Sequence, residues 1–318
     1  MKPLKVWFPR FYTEAHRDGW KGASLVLALK HFGIYCELEL TKDCDAVFCG
    51  SFFVVNDACS GYFKEPYHRP FIGYCKYPDI PVFHYNWDLY PFQIEGTHEN
   101  NPDYKMRWAE YIEELRKAKD IWVPSRCTVA RTVQYINKSA TVIKTAVHPW
   151  EPSGQVYSGD YVVNVMRKYP DDPNKTVLKE VCEELGIKLF EPGCELPWED
   201  FKNLIAGARL LVSPYYEAST GGLTLLEGYW HGKPVLLSNS PRNGAVDYFG
   251  NNREGVYYFQ WDNKNDLAEL IEKLFFPSSQ SRSWGRPDIK SRREWIAKEY
   301  SDLAMAERMA NRFREVLG

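Results

Sequence analysis

The sequence lacks most of the marks that would assign it to a class at once. Its 40 Lys and Arg are matched by 42 Asp and Glu, for a net charge of -2. A general nucleic-acid binder carries a basic excess or stripe, so the overall balance gives that class no support. Eight cysteines are present, yet no two form a Cys-x-x-Cys pair, which argues against a zinc knuckle. Cys36, Cys44, Cys49, Cys59, Cys75, Cys127, Cys182 and Cys194 mostly stand in apolar contexts and read as reduced core thiols. No apolar run approaches the ~18 residues of a membrane span, and none follows Met1. The expectation is a soluble, cytoplasmic chain without a transmembrane segment.

Catalytic signatures are missing too. Neither half of the chain has Gly-x-Gly-x-x-Gly after a strand, which a dinucleotide dehydrogenase would need. There is no Gly-x-x-x-x-Gly-Lys-Ser/Thr loop for a nucleoside triphosphate, and no Gly-x-Ser-x-Gly elbow for an α/β hydrolase. No Asp-x-Asp pair suited to a divalent ion stands at the carboxyl end of a strand, since Asp43-Cys-Asp45 precedes one, so no metal is expected. Solenoid repeats and low-complexity tracts are absent.

What is present is an alternation of strand-like and helix-like segments. The 318 residues, 44% of them hydrophobic, suffice for two domains with sizeable cores. Strands are expected at Lys5–Phe8, Tyr35–Leu40, Asp45–Cys49, Pro81–Tyr85, Ile121–Pro124 and Thr141–Thr145. Helices are expected at Ala23–Phe32, Tyr104–Lys119 and, capped by Ser125, Arg126–Ile136. The Pro- and Gly-rich stretch His148–Gly154 reads as a link. A second series follows: strands at Tyr161–Val165, Ile187–Phe190, Arg209–Val212, Pro234–Leu237 and Val256–Phe259, and helices at Lys175–Leu185, Glu199–Ala206 and Asp266–Phe275. The tail, Ser291–Leu317, carries one long amphipathic helical pattern. The fold class is therefore α/β: two Rossmann-like domains with parallel sheets facing a cleft. The expected division is 1–150, 151–290, and a C-terminal helix 291–318 that crosses back to the first domain.

Aromatic residues make up 15% of the chain, and some cluster in His84-Tyr-Asn-Trp-Asp-Leu-Tyr-Pro-Phe92. Such faces stack on sugar rings or fill a core. The most informative stretch is Glu217-Ala-Ser-Thr-Gly-Gly-Leu-Thr-Leu-Leu-Glu227. A strand precedes it, a glycine turn opens its helix, and Gly232 and Pro234 stop that helix. A helix N-terminus after a glycine turn suits a phosphate, and flanking carboxylates accept hydrogen bonds from sugar hydroxyls. The pattern points to a nucleotide-sugar pocket.

Four blocks in order carry a likeness to a known family: Ala118–Ser125, Val142–Pro152, Leu204–Pro214 and Glu217–Val235. With these the chain resembles a GT-B glycosyltransferase, closest to glycosyltransferase family 4. The resemblance implies a hexosyltransferase of carbohydrate biosynthesis that takes a sugar nucleotide such as a UDP- or GDP-sugar as donor. The acceptor would be a carbohydrate or glycoconjugate hydroxyl. It further implies retention at the anomeric carbon, with no metal and no other cofactor. The family's two glutamates are separated by seven residues, and nine separate Glu217 from Glu227. Either Glu217 still reaches the sugar or Ser219 stands in its place; Glu227 would bind the ribose. Gly221, Gly222, Leu223 and Thr224 would hold sugar and phosphate. Arg167 and Lys175, with Lys168 a competitor, would meet the diphosphate. Gly19 and Gly22 would let the backbone approach a ligand before the first helix, or simply make a turn. His84 follows the strand Pro81–Phe83, where relatives place a His near the donor sugar; Asn86 and Asp88 are alternatives. Two rival readings are a nucleotide-sugar epimerase or hydrolase on the same scaffold, and a non-catalytic sugar-nucleotide-binding protein.

Overall fold

The computed structural model describes residues 2–8, 22–37, 39–50, 77, 79–86, 112–113, 115–152, 159–165, 173–192, 196–215, 217–218, 222–276 and 288–318. The chain divides into two compact units. The first comprises Met1–Ala146 with Asp302–Gly318, and the second Val147–Ser301.

In the first unit the order is β1 (Leu4–Trp7), α1 (Gly22–His31), β2 (Ile34–Glu37), β3 (Ala46–Gly50), β4 (Val82–Tyr85), β5 (Asp120–Val123), α2 (Arg126–Ile136) and β6 (Thr141–Val142). The strands form one parallel sheet in the order β2-β1-β3-β4-β5-β6. Ser125 starts α2 as the sequence implies: its backbone is extended and its hydroxyl accepts from the Thr128 N–H at 3.2 Å. On one face Ile121 and Val123 pack with Leu115, Ala118 and Ile136. The ring of Phe313 meets Phe83 at 4.6 Å and Trp122 at 4.8 Å, between centroids. Phe313 belongs to the last helix of the chain, which packs on α1. Residues 112–113 and 115–117 are helical; the rest of the helix expected from Tyr104 lies outside the described residues.

The second unit runs β7 (Tyr161–Asn164), α3 (Pro173–Glu184), β8 (Lys188–Phe190), α4 (Trp198–Gly207), β9 (Leu210–Ser213), β10 (Glu217–Ala218), α5 (Leu223–Trp230), β11 (Val235–Ser238), β12 (Arg242–Asn243), α6 (Gly244–Phe249), β13 (Val256–Phe259), α7 (Lys264–Phe275) and α8 (Ile289–Tyr300). Five of these strands make a parallel sheet ordered β13-β11-β9-β7-β8. Both faces are covered, so the strands read as continuous apolar runs rather than alternations. Val162, Leu210, Val212 and Leu236 pack with residues of α3 and α7. Their neighbours Val163, Leu211, Val235 and Leu237 pack with residues of α4, α5, α6 and α8. Gly228 is needed inside α5 because a Cβ there would lie 1.9 Å from Leu211 Cδ1. Gly232 ends the helix at φ +78°, a conformation that costs other residues strain.

Three readings of the sequence need correction. The strand expected to reach Leu40 stops at Glu37, before the polar turn at residues 41–45. The tail is two helices rather than one, because Ser301 takes an extended backbone (φ -76°, ψ 163°) between α8 and α9 (Asp302–Leu317). Periodicity alone hid that break, since both halves are amphipathic. Only α9 belongs with the first unit; α8 lies in the second. The sequence reading also passed over α6. Asn243 caps it, its side chain accepting from the Ala245 N–H at 3.1 Å.

Candidate functional site at the strand ends of the second unit

In an open parallel sheet, ligands bind beyond the carboxyl ends of the strands, where successive crossovers diverge. In the second unit that point falls between β7 and β9, because β8 lies on the other side of β7. The residues that end these strands are polar after apolar runs. Asn164 ends β7 and is buried; Glu191 follows β8; Ser213 ends β9, fully buried. Tyr215, two residues on, is buried as well.

These groups form a chain of contacts. The Tyr215 hydroxyl donates to Asn164 Oδ1 at 3.2 Å, and Asn164 Nδ2 donates to Glu191 Oε1 at 3.0 Å. The same Glu191 oxygen lies 3.6 Å from Lys175 Nζ, with side-chain exposures of 34% and 27%. Lys175 is the third residue of α3, which starts at Pro173 rather than at the lysine itself. Ser213 Oγ is buried with no hydrogen-bond partner among the described residues. A fixed carboxylate, a partly exposed ammonium and an orphan hydroxyl thus share one strand edge.

The helix that follows β9 is α5, so its N-terminus faces this edge. Gly222 precedes it with no side-chain cap, and no acid sits in the first turn. Those N–H groups and the helix dipole favour an anion. Gly222 itself sits at φ -93°, ψ -23°, where any residue is allowed. It must be small for another reason: a Cβ would lie 2.6 Å from the Tyr248 ring. Leu223 and Thr224 open α5 and are partly buried.

Glu217 was expected in a loop. Its backbone is instead in β10, paired in parallel with β12 in the register Glu217↔Arg242. Ser219, Gly221, Arg167, Lys168 and Gly19 lie outside the described residues, and Gly22 is the first residue of α1. His84 lies within β4, not after the strand, between Cys49 and Ile121 in register, and is 2% exposed. Asn86 follows the strand and is buried, whereas Asp88 is not among the described residues.

Glu227 lies in the second turn of α5. Burial pushes its carboxyl up to about 8. The indole N–H of Trp150 lowers it only in part, and that N–H makes no full hydrogen bond. One turn later His231 packs its ring 4.4 Å from that of Trp150, and burial pushes its imidazole down to about 4. Trp150 also meets Trp198 edge to face at 6.3 Å. Burial thus disfavours the charged form of both Glu227 and His231, in an aromatic setting. Among the described residues no group of three or more His, Cys, Asp or Glu is placed to hold a metal ion, and no helix is long and apolar enough to cross a membrane.

Sequence reasoning missed Asn164, Glu191 and Tyr215. A signal was there: Tyr-Val-Val-Asn and Lys-Leu-Phe-Glu each end an apolar strand on a polar residue. It carries meaning only once the strand order is known.

No family model matches the chain, and no curated protein matches its sequence. Solved structures do match. A sucrose-phosphate synthase from Thermosynechococcus elongatus superposes with a TM-score of 0.60 at 13% identity, over 99% of both chains. A glycosyltransferase from Rickettsia africae gives 0.55 at 13% identity, over 99% of this chain and 98% of that one. Anabaena HepE, solved with UDP and glucose, gives 0.56 at 10% identity, over 99% and 100%. Identities this low establish the fold. It is the α/β fold of GT-B glycosyltransferases, with two parallel-sheet units.

Proposed function

We propose that the chain is a glycosyltransferase that moves a hexosyl group from a nucleotide sugar to an acceptor hydroxyl. The observation that carries this reading is the carboxyl edge of the second unit's sheet: α5 opens at Gly222 without a side-chain cap among the described residues, after the strand at the β7/β9 switch point, and Lys175 stands at the same edge against Glu191. That edge suits a diphosphate, and the fold supports sugar transfer as the use made of it.

In this reading the acceptor oxygen bonds to the anomeric carbon as the bond from that carbon to the phosphate oxygen breaks. The diphosphate leaves with the electron pair and takes up the acceptor's proton. Charge developing on the leaving group would be met by Lys175, by Arg167 and by the α5 amides. Retention of configuration and independence from metal follow from the family likeness, as does a role for Glu217 or Ser219 at the donor sugar. In this reading the acceptor is a carbohydrate or glycoconjugate, and the donor base is uracil, guanine or adenine.

Turnover assays with UDP- and GDP-hexoses over an acceptor panel test the reading. Release of nucleoside diphosphate should need the acceptor, survive chelation, and give product with the donor's anomeric configuration by NMR. Lys175→Gln should cost roughly 2–4 kcal/mol of transition-state stabilisation, as losing one such donor does elsewhere. Glu217→Gln should lower turnover and spare nucleoside diphosphate binding, and Ser219→Ala should do little; the reverse outcome moves the sugar contact to Ser219. Tight donor binding with no turnover on any acceptor would favour the binding-protein reading.

A further inference from the structure

The pocket edge contains a charge of the wrong sign for a diphosphate. Glu191 follows β8 at the same sheet edge as the proposed phosphate cation, and its Oε1 lies 3.6 Å from Lys175 Nζ. This carboxylate is not a stray surface group. Asn164, 1% exposed at the end of β7, donates to it at 3.0 Å. Tyr215, fully buried after β9, fixes Asn164 in turn through its 3.2 Å hydrogen bond. Three strands that meet at the switch point thus hold one carboxylate in place, and that carboxylate holds the lysine.

The two members of the pair differ in freedom. Glu191 is tethered by a buried amide, whereas Lys175 stands on a flexible four-carbon stem and has no other ion-pair partner among the described residues. With both side chains about a third exposed, the pair is weak enough to exchange. An incoming diphosphate carries more charge than a carboxylate and competes for the same ammonium. Once Lys175 has turned to the phosphates, the tethered Glu191 stays behind as an unpaired anion near them.

We propose that Glu191 is a positioning residue for Lys175: it holds the ammonium at the strand edge while the site is empty, gives it up to the diphosphate, and by repulsion and recapture of the lysine hastens release of the nucleoside diphosphate product. This rests on the glycosyltransferase reading of the same edge. Asn164 and Tyr215 act through Glu191, by fixing where it stands. The arrangement makes the site bind its product less tightly than its cations alone would. That is useful to an enzyme whose donor and product share a diphosphate.

The test is calorimetric titration of the full chain with UDP, GDP and ADP, joined to stopped-flow measurement of dissociation. Glu191→Gln keeps the hydrogen bond from Asn164 and removes the charge. It should bind the preferred nucleoside diphosphate about five- to tenfold more tightly, with the gain in slower dissociation and reduced at high salt. Glu191→Asp keeps the charge and shortens the stem, so it should not reproduce that gain in affinity. Lys175→Gln should weaken binding, and adding Glu191→Gln to it should restore less than twofold. A merely structural Glu191 would give weaker binding on substitution. Unchanged or weaker binding in Glu191→Gln, or a gain that persists without Lys175, overturns this proposal alone. Failure of the unaltered protein to bind any nucleoside diphosphate overturns the reading of the site, and this proposal with it.

Discussion

Each unit holds an acid–base pair at a strand end, and the two are built for opposite purposes. In the first, Arg312 of α9 grips Asp120 of β5 with two bonds, Nε to Oδ2 at 2.6 Å and Nη2 to Oδ1 at 3.1 Å. The Trp122 indole adds a third bond to the same carboxylate at 2.7 Å, and the acid is 10% exposed. In the second, Glu191 and Lys175 stand 3.6 Å apart and about a third exposed. Arginine's planar fork suits a permanent two-point clamp, and lysine's point charge suits exchange. Residue choice, burial and distance agree in both places. The first pair fastens the end of the chain to the first sheet, and the second stands ready to be broken.

The largest effect should therefore come from breaking the clamp. Asp120→Ala leaves the Trp122 indole N–H without its acceptor and the Arg312 guanidinium with Glu315 alone, and breaking a largely buried pair costs about 3–5 kcal/mol. Chemical denaturation should show that loss, together with faster proteolysis in α9. Lys175→Gln, on the other side of the comparison, should leave the denaturation midpoint almost unchanged. If the two variants were equally stable, the contrast between clamp and exchangeable pair would be void.

A third carboxyl sharpens the contrast, because Glu227 is desolvated and no cation among the described residues counters it. Its value in the folded protein, about 8, lies above that of an exposed glutamate. An acid with a raised value favours the folded state fully below the unfolded value. That contribution is lost as pH rises from about 4.5 to about 8, because the unfolded chain ionises first. Glu227→Gln should flatten the stability curve over that window, and at pH 8 should be more stable by something on the order of 2–4 kcal/mol. His231 works in the opposite direction. Its value near 4 means that stability falls as pH drops from 6.5 toward 4. Denaturation midpoints taken at intervals between pH 5 and pH 9 read both slopes. A Glu227→Gln curve parallel to that of the unaltered protein would show that the carboxyl is solvated and already ionised at neutral pH.

How much of this was legible in the sequence differs between the units' framework and their edges. Strands flanked by apolar runs and helices closed by glycine were readable because burial on both faces and the φ > 0 stop are local facts. Val256–Phe259 and Arg126–Ile136 are found where the pattern puts them. The break at Ser301 was not readable, since two amphipathic helices in series keep one period. The polar strand ends were unreadable for a different reason. Glu191 and Tyr215 lie 27 and 51 residues from Asn164, and only the strand order β9-β7-β8 brings the three together. The Glu217–Glu227 motif could not show that Glu217 starts in a short parallel pair, or that Glu227 is desolvated beside Trp150.

The smallest effect concerns Gly222, and it decides how rigid the exchange side of the comparison is. Motif reasoning assigns this glycine to close approach by a ligand. The structure gives it a packing role, because a Cβ at that position would meet three atoms of the Tyr248 ring between 2.6 and 2.9 Å. Tyr248 is itself held in the core, stacked on Tyr300 at 5.7 Å between centroids. It cannot yield cheaply, so Gly222→Ala should cost roughly 1–3 kcal/mol by overpacking. Shortening the obstacle separates the two roles. Tyr248→Leu loses stability of its own, but in that background the added cost of Gly222→Ala should shrink by more than half. Nucleoside diphosphate affinity of the double variant should then return toward that of Tyr248→Leu alone. If affinity stays low after stability has been relieved, the glycine is required by the ligand as well. In that case the α5 N-terminus, and not Lys175 alone, must adjust when the anion binds.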